Sequence, residues 1–251
     1  MPNHVTTILV VEDDAGMPIE DIRKVFVNEK GHVDFNVIVE MPECLQNFEP
    51  HSGVTTRAEA ALGLLQDPRS LDGEDLNSLT GRLHFSNAMR DITTKARDED
   101  IPLIARAIEN YGKCGYTYWY DWANDNWGTK WNCYGQPDDG HPLDARSFEF
   151  ETAWSHPEDL IRKISMRLPG VGFLIRFADE DMGSNCGQYR MKSGETYDED
   201  IAPRYPDQTE SDKRKYTEMA FRIRYGNDEV PAKHGYNSDW EYNDDLYEAN
   251  N

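Results

Sequence analysis

Ser147-Phe148-Glu149-Phe150-Glu151-Thr152-Ala153-Trp154 alternates side-chain character at every step. A period of two marks a half-buried strand. The alternation puts Phe148, Phe150, Thr152 and Trp154 on one face and Glu149, Glu151 and Ala153 on the other. Ser155-His156-Pro157-Glu158 then fits a capping box, with Ser155 as cap and Glu158 at its third helical position. Leu160, Ile161, Ile164 and Leu168 follow at helical spacing, and Pro169-Gly170 stops that helix. Residues 171–178, VGFLIRFA, give another strand. Residues 179–187 form a polar turn, and residues 188–192 return as a further strand. This half reads β-α-β-β.

The N-terminal residues answer it. Residues 4–12, HVTTILVVE, are an apolar, β-branched run that suits a central strand. Pro18 opens a helix whose face is Ile22, Val25 and Phe26, and Gly31 ends it. Residues 33–39, VDFNVIV, read as a half-buried strand, so the first 40 residues read β-α-β. Between the halves lies a helical block. Ala58, Ala61, Leu62 and Leu65 form one stripe, and Phe85, Ala88, Met89 and Ile92 a second. Ile101, Ile104, Ile108 and Tyr111 form a third, with Asp98, Glu99 and Asp100 at its favourable N-terminal end. Residues 66–82 read as a loop. The block is too long for an ordinary connection and reads as an insertion beside the sheet. After Gly194 the chain is acidic and loop-like to Asp212, residues 213–225 read as helix first with a short extended end, and residues 227–251 read as a loosely docked tail. The tail's Trp240, Tyr242 and Tyr247 are able to dock at a specific place. The expected organisation is a ferredoxin-like region over 1–193 with its helical and aromatic insertion at about 50–146, then a partly ordered acidic extension over 194–251.

The formal charge is −21, from 47 acidic and 26 basic side chains. Such a field repels phosphate backbones and anionic membranes, which argues against direct nucleic-acid binding and for a basic partner protein. No apolar run approaches membrane-spanning length. The N-terminus lacks a basic region before an apolar core, so a cytoplasmic protein is expected. Cys44, Cys114, Cys133 and Cys186 form no C-x-x-C pair and are expected to be reduced thiols.

The densest local signal is aromatic. Tyr116, Tyr118, Trp119, Tyr120, Trp122, Trp127, Trp131 and Tyr134 crowd together, interleaved with Asp, Asn and Gly. The spacing fits neither a long strand nor a simple amphipathic helix. Two readings stand. Large rings compensate for few aliphatic residues and clamp an insertion to a sheet. Alternatively Trp119, Trp122, Asn126, Trp127, Lys130 and Trp131 form a recognition surface, since Trp and Tyr anchor protein interfaces.

Three blocks together resemble a known family: Met1-Pro2-Asn3-His4-Val5-Thr6, the pair Trp119-Tyr120-Asp121-Trp122 and Asn126-Trp127-Gly128-Thr129-Lys130-Trp131-Asn132, and Phe150-Glu151-Thr152-Ala153-Trp154-Ser155. They are similar to the YubB-type ferredoxin-like family of bacteriophages, plasmids and integrated elements, over about residues 1–192. The resemblance implies an α+β fold, a ferredoxin-like antiparallel sheet with a helical insertion. It implies no iron–sulfur cluster, and it carries no activity or catalytic residues.

No phosphate-binding loop, dinucleotide fingerprint, H-E-x-x-H or G-x-S-x-G occurs. Asp13 and Asp14 follow the first strand, where turn capping is the simpler role. His4 and His32 read as packing or surface residues, and His156 as a cap neighbour. Glu149 and Glu151 share a strand face, where a solvated surface competes with a binding pair. No catalytic residues, cofactor or metal are expected. The expected function is a non-enzymatic, protein-binding accessory protein of a phage or mobile element. It would counter a host defence component through its acidic surface by binding a host or phage protein with a basic surface. A nucleotide- or nucleic-acid-processing enzyme with a scattered site and a homotypic structural protein are the alternatives.

Overall fold

The computed structural model describes residues 3–66, 86–88, 90, 92, 94, 96–136 and 145–250. They fall into two compact units. Met1–Glu40 with Ala123–Asn251 makes the first, and Met41–Trp122 the second.

The first unit is built on a five-stranded antiparallel sheet, in the order β2-β1-β3-β4-β5. β1 is His4–Asp13, β2 Ser147–Ala153, β3 Gly172–Asp179, β4 Cys186–Lys192 and β5 Glu195–Ile201. β1 pairs antiparallel with both β2 and β3, Val5 facing Thr152 on one side and Asp179 on the other. Strands β2 and β3 therefore run parallel with β1 between them, a split β-α-β arrangement as in ferredoxin-like folds.

Helices α1 (Ile19–Arg23) and α2 (Phe35–Ile38) follow β1. The second unit holds α3 (Ser52–Gln66) and α4 (Ile101–Cys114), and helix α5 is Trp119–Trp127. Then come α6 (Glu158–Arg167), α7 (Glu210–Tyr225) and α8 (Asp244–Asn250). On one sheet face Leu9 and Phe148 sit side by side, as do Thr7 and Phe150. Phe26 meets Phe148 edge-on at 4.8 Å, and Leu160, Ile161 and Ile164 of α6 are buried. On the other face α7 packs Tyr216, Ala220 and Ile223 against Ile8, Ala178 and Cys186. Burying that much apolar surface on both faces is the main stabilising contribution.

In the second unit Phe48, Val54 and Ala58 close on Ile104 and Ala107. Ile101, expected on the same stripe, is exposed. Asp98–Asp100 is a 3-10 turn, and buried Asp100 accepts from Arg97 and pairs with His51 at 2.9 Å. Arg97 first, then His51, hold its carboxyl down to about 2. Phe85, Met89 and nearly all of the loop expected at 66–82 lie outside the described residues.

Several local expectations need correction. Residues 33–39 are not a strand: the Asp34 carboxylate accepts from the Asn36 amide and starts α2, burying Phe35 and Ile38 one turn apart. Ser155 does not cap α6. Its hydroxyl donates to the Gly128 carbonyl, Pro157 holds the cap position, and Glu158 pairs with Arg162. Trp154 leaves the alternation because the backbone turns there at φ 72°, leaving its ring exposed. Residues 195–201, expected in a loop, are an edge strand with almost no buried side chain. Residues 213–225 are helical to Tyr225, with no extended end.

His156 is held on three sides. Nδ1 meets the Thr7 hydroxyl at 3.0 Å, Nε2 meets the Tyr189 hydroxyl at 2.7 Å, and the ring stacks on Phe177 at 4.3 Å. Burial pushes its pKa down to about 3. An unfolded chain holds histidine near 6.5. The neutral ring therefore contributes stability above about 6.5, and that contribution is lost as pH falls towards 3. Denaturant midpoints measured from neutral pH to pH 4 should show the wild type losing ground steadily to His156→Gln. Parallel curves would mean that the ring protonates freely in the folded protein.

Candidate functional site

The aromatic segment is held by specific polar contacts. The Trp127 indole N–H donates to the Val39 carbonyl at 2.9 Å, and its ring packs edge-on against Phe35, which packs on Phe150 of β2. Thr129 donates to the Ala153 carbonyl, and Lys163 of α6 donates to the Asn126 carbonyl. The Asn132 carboxamide accepts from the Phe35 amide and donates to Asp34. Burial raises the Asp34 pKa, but hydrogen bonds from Asn132, Asn36 and Asn28 outweigh it and hold the carboxyl low. Gln136 exchanges two hydrogen bonds with the backbone of Val33. Tyr134 exchanges two backbone hydrogen bonds with Glu151, which covers the outer edge of β2.

The residues expected to bind have different surroundings. Trp122 and Trp127 are 5% and 2% exposed. Trp119 and Trp131 are half-buried, Trp119 against Tyr118 and Tyr120, Trp131 beneath the Lys130 ammonium at 4.6 Å. Glu149 and Glu151 are half-buried on the sheet face that α7 shares. Burial, then the neighbouring Glu151, raises the Glu149 pKa, and Arg176 opposes that rise. The Glu151 carboxylate lies 3.9 Å from His4 Nδ1, which also meets the Tyr134 hydroxyl at 2.7 Å. Among the described residues, no group of three or more His, Cys, Asp or Glu is placed to hold a metal. No helix among them is long and apolar enough to cross a membrane.

A cavity of about 660 Å³ lies elsewhere in the first unit, between α7 and the C-terminal residues. A local turn builds its wall. The Asn237 side chain accepts from the Asp239 and Glu241 amides, and Tyr236 and Tyr242 pair across the turn. This carries Trp240 onto Phe221 of α7 at 5.3 Å, and the Arg222 guanidinium lies 5.1 Å over the same indole. Tyr205, Tyr236, Trp240 and Tyr242 line the cavity with Glu180, Asp181 and Glu241. Its other carboxylates, Glu210 and Asp239, are paired with Lys213 and Arg214. Among the described residues no cation lies within ion-pair distance of Glu180, Asp181 or Glu241. Glu241 accepts from the Asn237 carboxamide at 3.2 Å. Aromatic faces beside carboxylates that lack a cation suit a cationic side chain with an apolar stem. The tail's aromatics were a sequence signal for this place. Glu180 and Asp181 read only as turn residues, because their neighbours come from α7 and the C-terminus.

The polar fastening can be weighed by substitution. Trp127→Phe strands the Val39 carbonyl and should cost about 1–3 kcal/mol. Trp127→Ala should cost about 3–5 kcal/mol. Denaturant unfolding measures both; losses near zero would mean that the segment is not fastened through this indole.

A family model described as "Ferredoxin-like domain in Api92-like protein" matches residues 130–220. No match was found among curated proteins or among solved structures. The matched span runs from the end of the aromatic segment through all of β2 to β5 and into α7. Over residues 130–220, therefore, the chain carries a ferredoxin-like domain related to that of Api92-like proteins.

Proposed function

We propose that this chain is a non-enzymatic accessory protein of a phage or mobile element, acting in the host cytoplasm. It binds a host or phage protein with a basic surface and thereby counters a host defence component. The observation that carries this reading is the aromatic-walled cavity with its carboxylates Glu180, Asp181 and Glu241, which have no cation within ion-pair distance among the described residues. The charge of −21 steers a basic partner towards the molecule. The cavity then takes one of the partner's lysine or arginine side chains, which exchanges water for ring faces and carboxylates. Trp119, Trp131, Lys130, Asn126, Glu149 and Glu151 are half-buried and are secondary contact candidates. Trp122 and Trp127 are buried and act by holding the fold.

The test is capture from host lysate on the immobilised full chain, at low and at high salt. A basic polypeptide should be retained at low salt and released at high salt. The triple variant Glu180→Lys, Asp181→Lys, Glu241→Lys should bind it roughly tenfold or more weakly, as loss of one desolvated ionic contact implies. Nothing retained in either condition would overturn the proposal. Retention that ignores both salt and the triple variant would remove the cavity from it.

A further inference from the structure

Among the four cysteines, only Cys44 and Cys114 lie together, their sulfurs 3.7 Å apart. They are separated by 70 positions in sequence and belong to one compact unit. Both are half-buried, so a small oxidant reaches them. Cys44 lies in the turn before Leu45 and Phe48, whose buried side chains fix that segment. Cys114 closes the last turn of α4, where Gly115 takes φ 82° and ends the helix. The two sulfurs are already in van der Waals contact, and a disulfide needs an approach to about 2.05 Å. The remaining thiols are differently placed. Cys133 is held against the Val33 carbonyl at 3.1 Å, and Cys186 is fully buried beneath α7.

We propose that Cys44 and Cys114 form a reversible intramolecular disulfide when the protein meets a peroxide. The Cys44 thiolate attacks one peroxide oxygen, giving Cys44 sulfenic acid and hydroxide, which takes up the proton lost by the thiol. The Cys114 sulfur then attacks the Cys44 sulfur and forms the S–S bond. The sulfenic oxygen leaves as water with the Cys114 proton. Two thiols and one hydrogen peroxide become one disulfide and two waters, so the cysteines are oxidised and the peroxide is reduced. The bond ties the segment around Cys44 to the end of α4 and closes a long loop through α3. Long closed loops restrict the unfolded chain most, so the oxidised unit resists unfolding more than the reduced one. In a reducing cytoplasm the pair stays as thiols, and the bond records an oxidising episode.

Full-length protein treated with hydrogen peroxide, then alkylated without reduction, distinguishes the outcomes by intact mass and peptide mapping. The expected product is monomeric, lighter by two hydrogens, with one linked peptide pair containing Cys44 and Cys114. Dithiothreitol reverses it, and the oxidised form unfolds at higher denaturant than the reduced form. Cys44→Ser and Cys114→Ser should each abolish the link while leaving the circular dichroism unchanged. If either variant unfolds, mapping of the wild type still decides. Stable sulfenic or sulfinic acid without a link, a link to Cys133 or Cys186, or disulfide-bonded dimers would each overturn the proposal.

Discussion

β1 is hydrogen-bonded along both edges and covered on both faces. Val5 to Leu9 are all buried, so each of five consecutive side chains must suit an interior. Two of them are threonines, and a buried hydroxyl is tolerated only with a partner. Thr7 meets His156 in the turn before α6. Thr6 accepts from Arg224 near the end of α7, which also donates to the His4 carbonyl. One central strand thus fixes where both flanking helices approach. The β2-α6-β3 connection has to pass over β1, because its parallel strands stand on either side. The outer edge of β2 would be left unpaired, and Tyr134 closes it.

The aromatic segment serves that arrangement. Its polar residues are as informative as its rings. Asn132 and Gln136 pair with backbone groups of residues 33–35, and Thr129 and Ser155 bind carbonyls across the join between the segment and β2. A clamp of this kind needs shape from the indole and direction from the carboxamides. This explains why Trp and Asn alternate where a simple core helix would repeat aliphatic residues.

What could be read in the sequence was whatever repeats. β1 is buried on both faces and shows as a continuous apolar run, while β2, β3, β4, α3, α4 and α6 carry regular buried positions that write a period into the chain. Those elements were legible for that reason, whereas the antiparallel ferredoxin-like sheet was what the family resemblance implied. β5 was not, because an edge strand with a solvated acidic surface has no apolar period to show. Residues 33–39 misled for the opposite reason. Asp-Phe-Asn-Val mimics alternation, while the Asp34 carboxylate captures a local amide and starts a short helix. Side chains can compete with the ladder in this way, and the pattern of apolar residues does not register it. The cavity was hidden by distance. Glu180 stands after β3 and Trp240 near the C-terminus, and both line one cavity with residues of α7.

Charge and cavity contribute differently to recognition. A surface of net −21 repels itself and is screened beyond about 8 Å at physiological salt. It raises the encounter rate with any basic partner and distinguishes poorly among them. Discrimination needs a place where a cation gives up water for fixed groups. The cavity already shows this chemistry within the chain: Lys213 lies 5.7 Å over Tyr205 and Arg222 lies 5.1 Å over Trp240. Those cations cover some of the ring surface, and Glu210 and Asp239 are paired with the cavity's own Lys213 and Arg214. Under the proposed reading an incoming cation would meet Glu180, Asp181 and Glu241 as its counter-ions and the exposed Tyr242 ring as its apolar contact. A lysine or arginine stem supplies both needs. A small inorganic cation supplies only the first, and so gains less from the aromatic wall.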